Sequence, residues 1–80
     1  MKLPRNISSN ELTSSLQKFG NAVTRQKGSH IRLTTSINGQ HHLTIPNHNP
    51  IKIGTLSSIL SDLAIHFNLS KEEVIKSLFG

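Results

Sequence analysis

The sequence predicts a small α+β domain in which a three-stranded antiparallel sheet carries helices on one face. Apolar residues recur with helical spacing near both ends of the chain, and the segment between them changes to alternating spacing. Glycine-containing turns divide that segment into three strands. A chain of 80 residues has room for one small core. We therefore expect residues 1–80 to form a single domain, with a core over about residues 8–67 and a C-terminal helix over about residues 70–79.

The first helix is predicted to begin after Ser8. Ser8 and Glu11 have the spacing of a capping box, and Ile7 is placed to pack against Leu12 as a hydrophobic staple. Gly20 follows the last apolar residue of this stripe and is able to take the left-handed conformation that ends many helices.

The first two strands are predicted over residues 22–27 and 30–35, around a two-residue turn of Gly28 and Ser29. This turn puts four polar side chains on one face of the sheet. They form two cross-strand pairs, Lys27 with His30 and Arg25 with Arg32. The same register puts the apolar Val23 on that polar face, which the pattern does not explain.

The second hairpin is predicted to have a three-residue loop over residues 37–39, with Gly39 in the left-handed conformation. A two-residue turn would place Leu33 opposite Thr44 and break the apolar face, whereas the longer loop pairs Leu33 with Leu43. The other pairs in this register are Ile31 with Ile45, Arg32 with Thr44 and His30 with Pro46.

Two more helices are predicted after the third strand. The apolar stripe of the second helix consists of Leu56, Ile59, Leu60, Leu63 and Phe67. Asn68 is placed to end it, and Ser70 and Glu73 repeat the capping box before a short third helix. A helix, three strands and a helix, with one apolar sheet face, is the α-β-β-β-α layout of the double-stranded RNA-binding domain; the C-terminal helix is an addition.

Charge is distributed unevenly along the chain, whose net charge is +5. Residues 1–60 contain seven Lys and Arg side chains against Glu11 alone, and residues 61–80 contain two against three acidic ones. A cationic body favours a polyanion such as nucleic acid as the partner, although a basic surface also serves solubility alone.

Composition excludes several classes of protein. The absence of Cys excludes disulfide frameworks and thiol catalysis, and the scarcity of carboxylates argues against a two-metal nuclease. No apolar run approaches the roughly 18 residues of a membrane span, and residues 1–7 lack the apolar stretch of a secretory signal. We expect a cytoplasmic protein with no membrane contact and no cofactor.

Five histidines are an unusual number for this length. His66 is predicted to have a structural role at the edge of the second helix, and alternation sends His42 to the basic face and His41 to the core side. A metal site of His41, His42 and His48 is the less favoured alternative, because no carboxylate or thiol accompanies them. We therefore predict no metal.

His30 is the candidate catalytic residue because of its neighbours. It lies between Lys27 and Arg32 on the polar face, and its position opposite Pro46 brings His48 within possible reach. Metal-free cleavage of RNA needs a base for the ribose 2′-hydroxyl and an acid for the leaving 5′-oxygen, and imidazole serves in either role. From spacing alone, a histidine that only binds phosphate is an equal alternative.

Four motifs, in order, resemble the HicA family of type II toxin-antitoxin systems. They are RQKGSH at residues 25–30, NG at 38–39, IPNH at 45–48 and GTLSSIL at 54–60. The resemblance implies a small endoribonuclease toxin of the double-stranded RNA-binding fold that cleaves messenger RNA without a metal. It implies that His30, from the Gly-Ser-His motif, is the active residue and that Gly28 shapes the turn. It also implies a HicB-like antitoxin that covers the site.

The expected site combines two roles. The catalytic residues are His30 and His48, and the RNA-binding residues are Arg25, Lys27, Gly28, Ser29, Arg32 and His42. We expect a monomer when the protein is alone and a hetero-oligomer with the antitoxin. One alternative is a non-catalytic RNA-binding module that uses the same face. Another is an interaction protein whose Leu78 and Phe79 dock on a partner.

Overall fold

A computed structural model describes residues 3–80 of the chain, and its elements follow the predicted α+β order. The helices are α1 (Ser9–Leu16), α2 (Ile53–Phe67) and α3 (Lys71–Phe79), and the strands are β1 (Ala22–Lys27), β2 (His30–Thr35) and β3 (His41–Pro46). The strands form one antiparallel sheet in the order β1-β2-β3. Among residues 3–80, no helix has the length and apolar content needed to cross a membrane. The prediction about a secretory signal rests partly on Met1 and Lys2, which lie outside the described residues.

The ends of α1 are formed as predicted. The Glu11 backbone N–H donates to the Ser8 hydroxyl at 3.1 Å, and the Ser8 backbone N–H donates to the Glu11 carboxylate at 3.3 Å, which completes the capping box. After one 3₁₀ turn over Gln17–Phe19, the chain reverses at Gly20, which has a φ of 76°. A Cβ on Gly20 would meet the end of the exposed Ile37 side chain, which has room to move aside, so the left-handed conformation is what favours glycine there.

The first hairpin has the predicted strands and turn, but β1 contains a bulge between Val23 and Arg25. The register is as predicted from Lys27 to Arg25, and it then shifts so that Val23 lies opposite Leu33. The prediction that Val23 falls on the polar face is therefore wrong. Thr24 is the extra residue of the bulge, and it returns Val23 to the apolar side of the sheet, where Val23 is half-exposed at the edge.

The second hairpin confirms the predicted register. Leu33 pairs with Leu43, and Ile31 pairs with Ile45. The loop takes left-handed conformations at both Asn38, with a φ of 59°, and Gly39, with a φ of 93°. Because the register is set by this loop, all buried side chains of β2 and β3 lie on one face.

The C-terminal helix packs into the domain's own core. Asn68 ends α2 in the left-handed conformation, and a capping box of Ser70 and Glu73 begins α3, as predicted. Leu78 is buried among the core residues, and the Lys18 ammonium donates to the last carbonyls of α3. The hypothesis that Leu78 and Phe79 dock on a partner rather than on the domain itself is therefore wrong, because Leu78 is buried in this core and the half-buried Phe79 packs against it.

The helices cover one face of the sheet and leave the other open. The core contains the inward side chains of β2 and β3 and the apolar stripes of all three helices. The chain's four acidic side chains, Glu11, Asp62, Glu72 and Glu73, all lie on helices. The open face therefore carries cations and no carboxylate.

Candidate functional site

A cavity of about 480 Å³ lies on the open face at the Gly28 end of the first hairpin. Its walls are formed by Arg25, Lys27, Gly28, Ser29, His30, Arg32 and Thr44. The structure thus brings together six of the residues that the sequence predicts for the site. Thr44 is the addition, and its pairing with Arg32 was the signal in the sequence that pointed to it.

The hairpin turn positions the catalytic candidate. Gly28 has a φ of 57°, and an added Cβ would meet no atom within 4 Å, so backbone conformation rather than crowding requires glycine. Lys27 and His30 lie directly opposite each other on either side of this turn, and both are exposed. His30 therefore lies at the start of β2, directly opposite a lysine and on the same face of the sheet.

The electrostatics of the cavity favour an anionic ligand. Arg25 and Arg32 form a cross-strand pair of like charge, and Lys27 adds a third cation to the wall. Like charges directly opposite each other destabilise a sheet. A phosphate placed between them would offset that repulsion, since the wall itself contains no carboxylate.

The loop after β3 is anchored to both the turn and α1. The Asn47 backbone N–H donates to the Ser29 carbonyl at 2.7 Å. The buried Ser9 donates its hydroxyl to the Asn47 side chain at 2.7 Å and its backbone N–H to the Asn49 side chain at 3.2 Å. The two contacts with Ser9 join residues about 40 positions apart, and no local pattern in the sequence predicts them.

His48 lies in this anchored loop but outside the cavity wall. Its backbone N–H donates to the Pro46 carbonyl at 2.9 Å, and its side chain is exposed. The loop therefore starts beside the turn that carries His30, as the sequence predicts, whereas the imidazole of His48 is not among the groups that line the cavity with His30. A catalytic role for His48 stays a prediction.

His42 lies at the other end of the open face. It pairs with Thr34, and its Nδ1 lies 2.9 Å from the Thr34 hydroxyl oxygen. Its side chain is exposed on the predicted face, but it does not line the cavity.

The two other histidines form a stacked pair on the helix side. The rings of His41 and His66 are 4.2 Å apart and nearly parallel. Nε2 of His41 lies 3.3 Å from the Asp62 carboxylate, and Nε2 of His66 lies 3.0 Å from the Ile37 carbonyl. Residues 3–80 contain no cluster of three His, Cys, Asp or Glu side chains arranged to hold a metal ion. His41 and His66 instead join the second hairpin to α2.

Comparison with known proteins identifies one family. Residues 9–65, more than two thirds of the chain, match the family model described as "HicA toxin of bacterial toxin-antitoxin". Searches among curated proteins and among solved structures give no match.

The matched range contains α1, the whole sheet and almost all of α2, and therefore every residue of the cavity wall. A toxin of such a system has a cognate antitoxin as its partner. The chain belongs to the HicA toxin family and is the toxin component of a toxin-antitoxin system.

Proposed function

We propose that this toxin is an endoribonuclease that cleaves messenger RNA, with His30 as a proton-transfer group. The observation that carries the proposal is the cavity in which His30 stands among Arg25, Lys27 and Arg32. Imidazole beside guanidinium and ammonium groups suits a reaction that moves protons at a phosphate. Because the proposed substrate is messenger RNA, we expect the toxin to act in the cytoplasm.

The reaction uses the substrate's own nucleophile. A base removes the proton from a ribose 2′-hydroxyl, and the resulting oxygen attacks the adjacent phosphorus. The bond from phosphorus to the 5′-oxygen breaks, and an acid protonates that oxygen. The products are a 2′,3′-cyclic phosphate and a 5′-hydroxyl. In this scheme His30 acts as the base or the acid, and Arg25, Lys27 and Arg32 stabilise the charge of the phosphorane.

We propose His48 as the second proton-transfer group. The support is the hydrogen bond from Asn47 to the carbonyl of Ser29, which begins the His48 loop beside the active turn. Ser29 and Gly28 contribute backbone to the phosphate site at the same turn.

The proposed reaction needs no metal ion. Mg²⁺ binds mainly through carboxylate oxygens, and the cavity wall offers imidazole, guanidinium, ammonium and hydroxyl groups instead. We therefore expect cleavage to persist when divalent cations are chelated.

We further propose that the cognate antitoxin is HicB-like and covers the open face with an anionic surface. The cationic wall favours such complementarity, which also speeds association. The toxin would be monomeric alone and part of a hetero-oligomer with the antitoxin. Residues 1–80 act as one domain in this proposal, because α3 shares the core of α1 and α2.

The experiment is a cleavage assay with labelled RNA in EDTA, combined with induction of the toxin in cells. The His30→Ala variant is expected to lose cleavage and growth arrest while it keeps its fold and some RNA binding. Ser58→Ala is the control, since Ser58 is exposed on α2 and distant from the open face. Full cleavage by purified His30→Ala would contradict the proposal.

One observation favours a second candidate function, that of a non-catalytic RNA-binding module. Only one imidazole, that of His30, is part of the described cavity wall. Such a module would bind RNA with a steep salt dependence and would show no turnover. Incubation of the wild-type protein with labelled RNA separates the two functions.

A further inference from the structure

A chain of hydrogen-bonding groups crosses the open face at the end distant from Gly28. The hydroxyl oxygens of Thr24 and Thr34 are 2.8 Å apart, and that of Thr34 is 2.9 Å from Nδ1 of His42. One residue comes from each strand, so this row of hydrogen bonds spans the whole width of the sheet. None of these three residues lines the cavity around His30.

The bulge in β1 is what builds this row. Without it, the register set by Lys27 and His30 would place Thr24 opposite Leu33, on the apolar side of the sheet. The extra residue turns Thr24 to the open face, where its hydroxyl meets that of Thr34. Bulges of this kind often redirect a side chain beside a functional site.

This row of hydrogen bonds holds the ring of His42 at Nδ1 and leaves its outer nitrogen exposed. Both short contacts are satisfied when Thr24 donates to Thr34 and Thr34 donates to Nδ1, and the neutral ring then carries its proton on Nε2. They are also satisfied in the reverse direction, which starts at an Nδ1–H and ends on the Arg32 carbonyl, 3.4 Å from the Thr24 hydroxyl. A phosphate beside Nε2 needs a donor and therefore favours the first arrangement, and Nε2 has no hydrogen-bond partner among residues 3–80.

This row is separate from the proposed catalytic site. His30 and Thr34 are four positions apart on β2, and His42 lies opposite Thr34. At about 3.3 Å per residue, His30 and His42 are therefore about 13 Å apart along the strand direction. Proton transfer requires contact at hydrogen-bond distance, so the two imidazoles cannot act on one phosphodiester.

The charge between the two places favours one continuous polyanion. Arg32 lies on the same face of β2, between His30 and Thr34. The acidic residues all lie on helices, so the described open face has no carboxylate to compete for the exposed donor of His42. A backbone with repeated phosphates fits this spacing of donors better than a single small anion does.

We propose that His42, held by Thr34 and Thr24, is a second phosphate subsite that binds the RNA strand away from the scissile bond. The proposal rests on the proposed ribonuclease function and adds the path of the strand, from the Gly28 turn across Arg32 to His42. It follows that a substrate must extend beyond the dinucleotide that is cleaved in order to reach both places.

The test measures binding of fully 2′-O-methylated oligonucleotides, which keep their phosphates but lack the attacking hydroxyl. A dinucleotide and an octanucleotide are compared on wild type, His42→Ala, Thr34→Val and the control Ser58→Ala. His42→Ala is expected to weaken octanucleotide binding by about threefold to tenfold and to leave dinucleotide binding unchanged. Thr34→Val is expected to show a smaller loss in the same direction, and circular dichroism checks that each variant is folded.

The outcomes separate this inference from the proposed function. Unchanged octanucleotide affinity in His42→Ala, or equal losses for both oligonucleotides, would each overturn the subsite. A separate assay with unmodified RNA tests cleavage by the wild type. If the length-dependent loss is found and no cleavage occurs, the subsite is supported and the proposed ribonuclease function fails.

Discussion

Arg25 lies directly opposite Arg32 across β1 and β2, on the face of the sheet that the helices leave open. The pair repels in the free protein, and the wall around it has no acidic side chain to compensate. The arrangement costs stability without improving the core, which supports our proposal that the pair binds a phosphate. It is the clearest structural sign of an electrostatic function in this domain.

Removing one member of this pair is expected to separate stability from binding. Arg25→Gln relieves the repulsion, so the free energy of unfolding should stay constant or rise by a few tenths of a kcal/mol. RNA affinity should fall, and the slope of log K against log salt should decrease by about 0.7, the value for one phosphate contact to a single strand. Lys76→Gln on α3 is the control, and an equal change of slope in that variant would contradict the assignment.

Alanine substitution at two glycines that have free space around them should change the stability of the protein in opposite directions. Gly28 has a φ of 57°, so Gly28→Ala should destabilise the protein by about 1 kcal/mol and disturb cleavage through the position of His30. Gly54 lies in α2 with free space around it, so Gly54→Ala should stabilise the protein by about 0.5 kcal/mol with cleavage unchanged. Thermal unfolding and a cleavage assay measure both effects, and a stabilised, fully active Gly28→Ala would count against the role of the turn.

The anchor of the His48 loop is tested at Ser9. Ser9→Ala removes the hydroxyl that donates to the Asn47 side chain and should destabilise the protein by about 1 kcal/mol. The loop that carries His48 loses an anchor in this variant. If His48 transfers a proton, Ser9→Ala should therefore also lower kcat more than it raises KM. Thr13→Val is the control, because the Thr13 hydroxyl donates to the Ser9 carbonyl within α1 and makes no hydrogen bond to the loop among the described residues. A lowered stability with unchanged kcat would remove the argument for His48.

The sequence was sufficient for those parts of the fold that depend on local pattern. Leu33 and Leu43 determined the register of the second hairpin, and the Gly28 turn determined the first and, with it, most of the cavity wall. The misfit of Val23 was the one sign of the bulge at Thr24 in the sequence, but a single apolar residue on an edge strand does not determine a register, and tertiary packing does so instead. The position of the loop that carries His48 depends on the contact between Asn47 and Ser9, which no local pattern in the sequence predicts.

The capping box of α3 gives a pH-dependent contribution to stability. Hydrogen bonds from the Ser70 backbone and hydroxyl lower the pKa of Glu73 below its ordinary value. A lowered pKa in the folded state means that the contribution is present above the unfolded pKa and is lost as pH falls through the folded one. Glu73→Gln should therefore be less stable than wild type near neutral pH, and the difference should shrink in acid. Urea unfolding across this pH range measures it, and a difference that grows as pH falls would contradict the sign.

The identity of the product ends tests most directly whether His30 promotes attack by a ribose 2′-hydroxyl. Purified wild-type toxin in EDTA should convert an RNA oligonucleotide into fragments with 2′,3′-cyclic phosphate and 5′-hydroxyl ends, as seen by mass spectrometry. His30→Ala should give none of these fragments, and a substrate with 2′-deoxyribose throughout should stay intact. Fragments with 5′-phosphate ends, or equal cleavage by His30→Ala, would contradict the account.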